Sequence, residues 1–364
     1  MDSIIEALIE RIRAAAASGK PLRIRGGGSK DFYGEPPQGD VLDTRGFTGV
    51  TSYEPSELVV TVRAGTALAE LETLLASSGQ CLPFEPPHLG PGATVGGMVA
   101  AGLSGPARAS VGSVRDYVLG LTMVNGRGEL LTFGGQVMKN VAGYDVSRLM
   151  VGALGTLGLL LEVSLKVLPI APAEATLKFK MMQPEALAQL HLWGGQPLPL
   201  NASCWVEDVG VGTLYLRLRG AVAAVEAACR ELGGERQDNA AVAPDWSRCR
   251  DQQLPWFLER GARDLWRLSV PQTAPVLELP EPPLIEWHGG QRWVRAEPRH
   301  RDRLRQVAAL CGGHATLFLA AKPEDPAARR FSPLDPVLHR IHRELKRQFD
   351  PAGIFNRGRL FPDF

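Results

Sequence analysis

Pro86-Pro87-His88-Leu89-Gly90-Pro91-Gly92-Ala93-Thr94-Val95-Gly96-Gly97 is the stretch on which the fold turns. Its prolines fix the path of the chain, its glycines open the backbone, and Thr94 offers a hydroxyl to an anion. The run continues through small residues, Ala100, Ala101, Gly102, Ser104 and Gly105, so a flat ligand can lie close to the main chain. A loop that only reverses the chain has little use for so long a tract of small side chains.

Toward the N-terminus, the strand-like Leu22-Arg23-Ile24-Arg25 runs into Gly26-Gly27-Gly28-Ser29-Lys30. Consecutive glycines after a strand let several N–H groups converge on an anion, although a plain flexible turn has the same letters. No helix with GxGxxG spacing opens there, which excludes a dinucleotide fingerprint, and no Gly-Lys-Ser/Thr follows to make a Walker loop. Toward the C-terminus, Gly152-Ala153-Leu154-Gly155-Thr156-Leu157-Gly158 enters a strand that runs to Lys166. Glycines in a buried strand mark the close approach of another body, either a flat ring or a neighbouring strand.

Around these segments the periodicity predicts an amphipathic helix over Met1–Ala17 and a hairpin from VTSYEP to LVVTVRAG. It also predicts a helix capped by Thr66 with Leu68, Leu71, Leu74 and Leu75 on its buried face. Strands at Tyr117–Met123 and Glu129–Phe133 flank the turn Asn125-Gly126-Arg127-Gly128. Pro169 and Pro172 place a boundary near residue 170. Beyond it, strand, helix, two strands and helix follow in the order of a split βαββαβ layer. Further strands come at LWRLSVP, LIEWHGGQRWVRA and ATLFLA, and a last helix runs from about Leu334 to Phe349.

A chain of 364 residues suits two domains, or three if the parts are small. Lysine and arginine number 40 against 39 acidic residues, so no global field points to nucleic acid. Cys81, Cys204, Cys229, Cys249 and Cys311 form no CxxC pair, which argues against an iron–sulfur cluster or structural zinc and for a reduced, intracellular protein. Apolar runs such as Leu157–Leu161 are far too short to span a bilayer, so a cytoplasmic location is expected.

Taken together, these segments resemble the FAD-binding domain of the vanillyl-alcohol oxidase / p-cresol methylhydroxylase superfamily over residues 20–170. RGGGS (25–29), PPHLGPGATVGG, SVRDYVLGLTMVNGRGEL (113–130), KNVAGYDVSRLMVGALGTLG (139–158) and EVSLKVLP (162–169) are similar to the FAD-binding subunits of glycolate oxidase. GGHATLF (312–318) and FDPAGIFN (349–356) extend the likeness into the second half. The resemblance implies an α+β fold: a PCMH-type FAD-binding domain of two α+β subdomains over 1–170, a ferredoxin-like α+β cap over 171–325, and a C-terminal helix and tail, 326–364, packing back on the FAD domain.

By position, the resemblance implies that Arg25, Gly26, Gly27, Gly28 and Ser29 hold the FAD pyrophosphate. Pro87, Gly92, Thr94, Gly96, Gly97 and Ser104 would line its second side, and Gly158 and Val163 would touch the flavin or adenine end. Superfamily members that attach FAD covalently often carry a histidine where this chain has Ser29. A serine hydroxyl cannot make the histidyl–flavin bond, so non-covalent FAD is expected.

The resemblance further implies oxidation of glycolate to glyoxylate, with hydride transfer to FAD and electrons passed to an iron–sulfur subunit beside a second FAD-containing subunit. Such chemistry needs a cation for the carboxylate and a base for the hydroxyl proton. Arg267 and His314 are the candidates, with Arg292, Arg357, Arg359 and Lys139 as further neighbours of substrate or flavin. GGHATLF has no second histidine or nearby carboxylate, so no metal is expected. Two other readings stay open: a stand-alone dehydrogenase of D-lactate or another 2-hydroxyacid, and a non-catalytic FAD-carrying assembly subunit. Any membrane association would be peripheral and through partners. Trp205, Trp246, Trp256, Trp287 and Trp293 serve either a subunit interface or the core.

Overall fold

The computed structural model describes residues 3–135, 144–208, 210–322, 325 and 328–363. The chain packs into two compact units, one of Met1–Leu103, Ser113–Ile170 and Pro333–Phe364, the other of Ser104–Gly112 and Ala171–Ser332. The sequence boundaries near 170 and 325 leave Ser104–Gly112 in the first domain; its contacts place it in the second unit.

The first unit holds β1 (Leu22–Arg25), β2 (Asp40–Asp43), β3 (Val50–Glu54), β4 (Val59–Arg63), β5 (Gln80–Cys81), β6 (Val118–Val124), β7 (Leu130–Gly134), β8 (Leu159–Lys166) and β9 (Leu168–Pro169). β1 and β2 pair in parallel with Leu22 opposite Asp40. An antiparallel sheet runs in the order β3-β4-β8-β6-β7. The helix Leu68–Ser77 buries Leu68, Leu71 and Leu75 against this sheet's core, each contributing about 1.5–3 kcal/mol by transfer from water. Its N-cap is Ala67, and Thr66 does not cap it. The Thr66 hydroxyl accepts from the Gly49 N–H at 2.9 Å, a bond that fixes the preceding loop. The β6–β7 hairpin forms because the Asn125 side chain accepts from the N–H groups of Arg127 and Glu129 at 2.9 and 3.0 Å.

The second unit holds β10 (Ala173–Lys180), β11 (Leu200–Asp208), β12 (Val211–Gly220), β13 (Glu235–Arg236), β14 (Asp264–Ser269), β15 (Leu284–Glu286), β16 (Gln291–Ala296) and β17 (His314–Leu319). They form one antiparallel sheet in the order β13-β10-β12-β11-β15-β16-β14-β17. β10, the helix Gln183–Gly194, β11, β12, the helix Val222–Leu232 and β13 place their strands in spatial order fourth, first, third, second, the order of a split βαββαβ layer. β14 through β17 repeat that order, with irregular chain over 270–283 where the first helix would stand and the helix Arg301–Leu310 in the second place. The halves join edge to edge, Cys204 opposite Glu286.

All five tryptophans weighed for an interface are buried: none of Trp205, Trp246, Trp256, Trp287 and Trp293 is more than 8% exposed. The indoles fill both faces of the sheet, so core packing is the reading that holds. Among the described residues no helix is long and apolar enough to cross a membrane.

Candidate functional site

In the first unit, β1 delivers the chain into Gly26-Gly27-Gly28-Ser29, and Thr94 caps the helix Val95–Ala101 that leaves the second loop. The two loops interlock. A β-carbon on Gly26 would strike the Thr94 hydroxyl, and one on Gly27 would strike the Gly92 carbonyl. Gly28 has φ +76°, a conformation that L side chains rarely adopt, and the Arg25 guanidinium folds over it. The amides of Gly27, Gly28 and Ser29 make no hydrogen bond within the described residues. They are a ready cradle for anionic oxygens.

Two adjoining hollows form a trough along these loops and share Ile24, Gly26, Gly97, Ala100, Leu154 and Asn356. At the loop end the walls carry Arg23, Arg25, Lys30 and Arg359 against the single carboxylate of Asp31. Asp31 takes Arg23 at 2.5 Å and Arg25 at 2.8 Å, so it orders the two guanidiniums while leaving a net positive field. The far end is walled by Thr44, Ala64, Gly96, Gly155, Gly158 and Leu160. The first amides of the Val95–Ala101 helix are already committed: Val95 to the Thr66 carbonyl, Gly96 to the Ala64 carbonyl and Gly97 to the Thr94 hydroxyl. What Gly96 and Gly97 give the trough is therefore space.

The trough gathers Arg25, Gly26, Gly27, Gly28, Ser29, Thr94, Gly96, Gly97 and Gly158. Arg359 lines it as well and donates to the carbonyls of Lys30, Asp31 and Glu35. Pro87 and Gly92 shape the second loop without lining the trough. Ser104 lies in the second unit, and the Val163 side chain is wholly buried in the sheet core. Gly158 is glycine for its own fold as well, because a β-carbon there would meet Met123 and the Val124 carbonyl.

Sequence reading missed Asn356, which ties the trough together. Its Oδ1 accepts from the Ile24 N–H at 2.7 Å and its Nδ2 donates to the Leu154 carbonyl at 2.6 Å. The tail is held there by the buried Lys346, which donates to Asp350, Thr156 O and Phe355 O at 2.7–2.8 Å. The FDPAGIFN segment was visible in the sequence, but nothing in its spacing told which strand it would meet.

In the second unit, Arg267 on β14 lies opposite Thr316 of β17, and His314 lies opposite Ser269, so Arg267 and His314 share a sheet face. The His314 imidazole titrates below the usual histidine range, first through desolvation and then through the charges of Arg267 and Arg108. It is therefore in its neutral form at neutral pH. Arg108, a second cation that sequence reading missed, stacks on the Trp287 ring at 4.4 Å. His288 is also close to Ser104–Gly112, its Nε2 3.0 Å from the Ser110 hydroxyl and its Nδ1 3.1 Å from the Ser203 hydroxyl. Burial pushes its pKa down to about 4.

Arg292 is fully buried on β16 and donates to the carbonyls of Gly289 and Ala274. Arg357 is exposed and donates to the Gly353 carbonyl, while Lys139 lies outside the described residues. Among the described residues no group of three His, Cys, Asp or Glu could hold a metal ion.

Residues 4–134 match the FAD binding domain family. Glycolate oxidase subunit GlcE of Escherichia coli is 44% identical over 98% of this chain and 97% of its own length. Glycolate oxidase subunit GlcD of Bacillus subtilis is 32% identical over 46% of this chain and 36% of its own, and a D-lactate dehydrogenase of Archaeoglobus fulgidus is 35% identical over 41% and 33%. Among solved structures, an alkyldihydroxyacetonephosphate synthase superposes with a TM-score of 0.67 over 96% of this chain and 74% of that one, at 14% identity, a likeness of fold. With residues 4–134 matching an FAD binding domain and 44% identity to that Escherichia coli subunit over nearly its full length, the chain belongs to the glycolate oxidase subunit GlcE family.

Proposed function

We propose that this chain carries FAD non-covalently as a subunit of a glycolate-oxidising complex and takes part in the oxidation of glycolate to glyoxylate. The observation that carries the reading is the pair of interlocked glycine loops, with uncommitted amides among Arg23, Arg25, Lys30 and Arg359. A pyrophosphate brings two negative charges and many acceptor oxygens, which suits that set of donors. Arg25 to Ser29 would hold it, Thr94 would add a hydroxyl, and the small residues Gly97, Ala100 and Ala101 would let the flat parts of the cofactor lie against the backbone. Ser29 leaves the first loop without a nucleophilic imidazole, in keeping with a dissociable cofactor.

Bound FAD would supply the two-electron acceptor. The protein's own part in the chemistry falls to the second unit. Arg267 shares a sheet face with His314, and the charges of Arg267 and Arg108 both act on its imidazole, a setting that would orient a small carboxylate. Desolvation, and then the same cations, keep the imidazole in its neutral form, with a lone pair to accept the proton of a 2-hydroxyl group. An iron–sulfur subunit and a second flavoprotein would take the electrons onward, because no two cysteines of this chain are spaced for a cluster.

The test is anaerobic mixing of the FAD-loaded chain with glycolate, alone and with the partner subunits added. Bleaching in either setting that is lost in Arg267→Met and His314→Gln supports the reading. Undiminished turnover by a complex carrying either variant would place the chemistry in another chain.

A further inference from the structure

We infer a second small-molecule site, wholly within the second unit, for an uncharged planar aromatic compound that carries a carbonyl oxygen. The sheet face bearing Cys204 and Tyr215 is covered by the helices Asn239–Arg250 and Pro255–Leu258, which leave a cavity of about 580 Å3 beneath them. That volume lies within the usual range for sites of drug-sized ligands. None of its lining residues is Arg108, Arg267 or His314, so it is separate from that histidine.

The walls set the chemistry. Trp246 and Trp256 line it together with Tyr215, Val242, Cys204 and Cys249. Both indoles are held rigidly. Trp246 donates to the Thr176 hydroxyl at 2.9 Å, and the Arg295 guanidinium lies 4.6 Å from the Trp256 ring centre. Fixed aromatic walls suit a flat ring, because stacking costs them no further side-chain freedom.

Arg295 supplies the polar anchor. It reaches the Trp256 carbonyl through Nη1 at 3.3 Å and has Glu281 3.5 Å from the buried Nε, while its Nη2 makes no hydrogen bond among the described residues. A ligand oxygen would complete that donor set. An anion is disfavoured. Asp245 and Arg248 at the mouth neutralise each other at 2.9 Å, and the lining as a whole sets the carboxylates of Glu207, Asp245 and Glu259 against the guanidiniums of Arg248 and Arg295, an excess of negative charge. A neutral carbonyl takes the hydrogen bond without meeting that repulsion.

Coumarin, a neutral bicyclic lactone, is the probe, titrated calorimetrically into the FAD-saturated chain so that the flavin trough is already filled. We expect saturable binding, at least about tenfold weaker binding of the similarly sized anion 1-naphthoate, and roughly tenfold weaker coumarin binding in Arg295→Met, the usual effect of losing one charge-assisted hydrogen bond. Val242→Trp, which fills the cavity, should abolish binding; Leu254→Trp at the rim repeats the test should the buried substitution lower the melting temperature. No binding to the wild-type chain, binding unchanged in both Arg295→Met and the cavity-filling variant, or displacement of coumarin by excess FAD would each overturn the inference.

Discussion

Gly27 turns the open side of its α-carbon against the carbonyl of Gly92, leaving no room for a β-carbon between the two loops. Segments 65 residues apart thereby act as one cradle, and the geometry of each depends on the other. Gly27→Ala should push the loops apart at a cost of about 1–3 kcal/mol, the usual range for overpacking. The chain should purify with its flavin largely lost and its melting temperature lowered, read by the ratio of flavin to protein absorbance and by a thermal melt.

Gly97 separates ligand space from folding. A β-carbon there would meet only the Thr94 hydroxyl, at 3.1 Å, and a longer side chain would enter the trough. Gly97→Leu should lose FAD while the variant melts at or slightly above the flavin-free wild-type chain, since leucine favours a helix over glycine by roughly 0.5–1 kcal/mol. Retention of FAD at wild-type occupancy would show that the cofactor does not pass Gly97.

The Lys346–Asp350 pair anchors the tail that carries Asn356 into the trough. Both side chains are buried, and Asp350 also accepts from the N–H groups of Ile354 and Phe355. Lys346→Met strands a buried carboxylate and should cost about 3–5 kcal/mol in urea denaturation. Weaker FAD retention should accompany it, because Asn356 would lose its seat beside Ile24.

His288 makes stability depend on acid. Its folded pKa of about 4 lies below the ordinary value of 6.5, so between these values the unfolded chain binds more protons. Its contribution is complete above pH 6.5 and is lost as pH falls toward 4, a change of roughly 3 kcal/mol. Since His288 sits at φ +53°, which asparagine tolerates, His288→Asn is the conservative variant. Stability of the variant, followed in urea from pH 7 to pH 4.5, should fall less steeply than that of the wild type.

The parts of this architecture that were legible in the sequence are the locally encoded ones. The β6–β7 hairpin is written in Asn125-Gly126-Arg127-Gly128, and the buried face of Leu68–Ser77 in its leucine spacing. Both glycine loops stand out because several glycines serve one short-range geometry. Asn356 gives no such signal, since its partners Ile24 and Leu154 lie 332 and 202 residues away. Arg108 was equally hidden. Its segment follows the second glycine loop in sequence but packs with strands that come a hundred residues later, so chain position pointed to the wrong unit. Gly158 was noticed as a close approach, and the body that approaches it from one side is the chain's own β6. Arg292 in LIEWHGGQRWVRA reads as a functional cation, yet its strand register turns it into the core.

The most direct test of the central claim is acid precipitation of the purified, FAD-loaded chain, with flavin absorbance measured in supernatant and pellet. A cradle of backbone amides, with Ser29 at its edge, predicts close to one FAD per chain, all of it released to the supernatant. Flavin left in the pellet would contradict non-covalent attachment, and a chain that holds no flavin under any condition of loading would contradict the cradle itself.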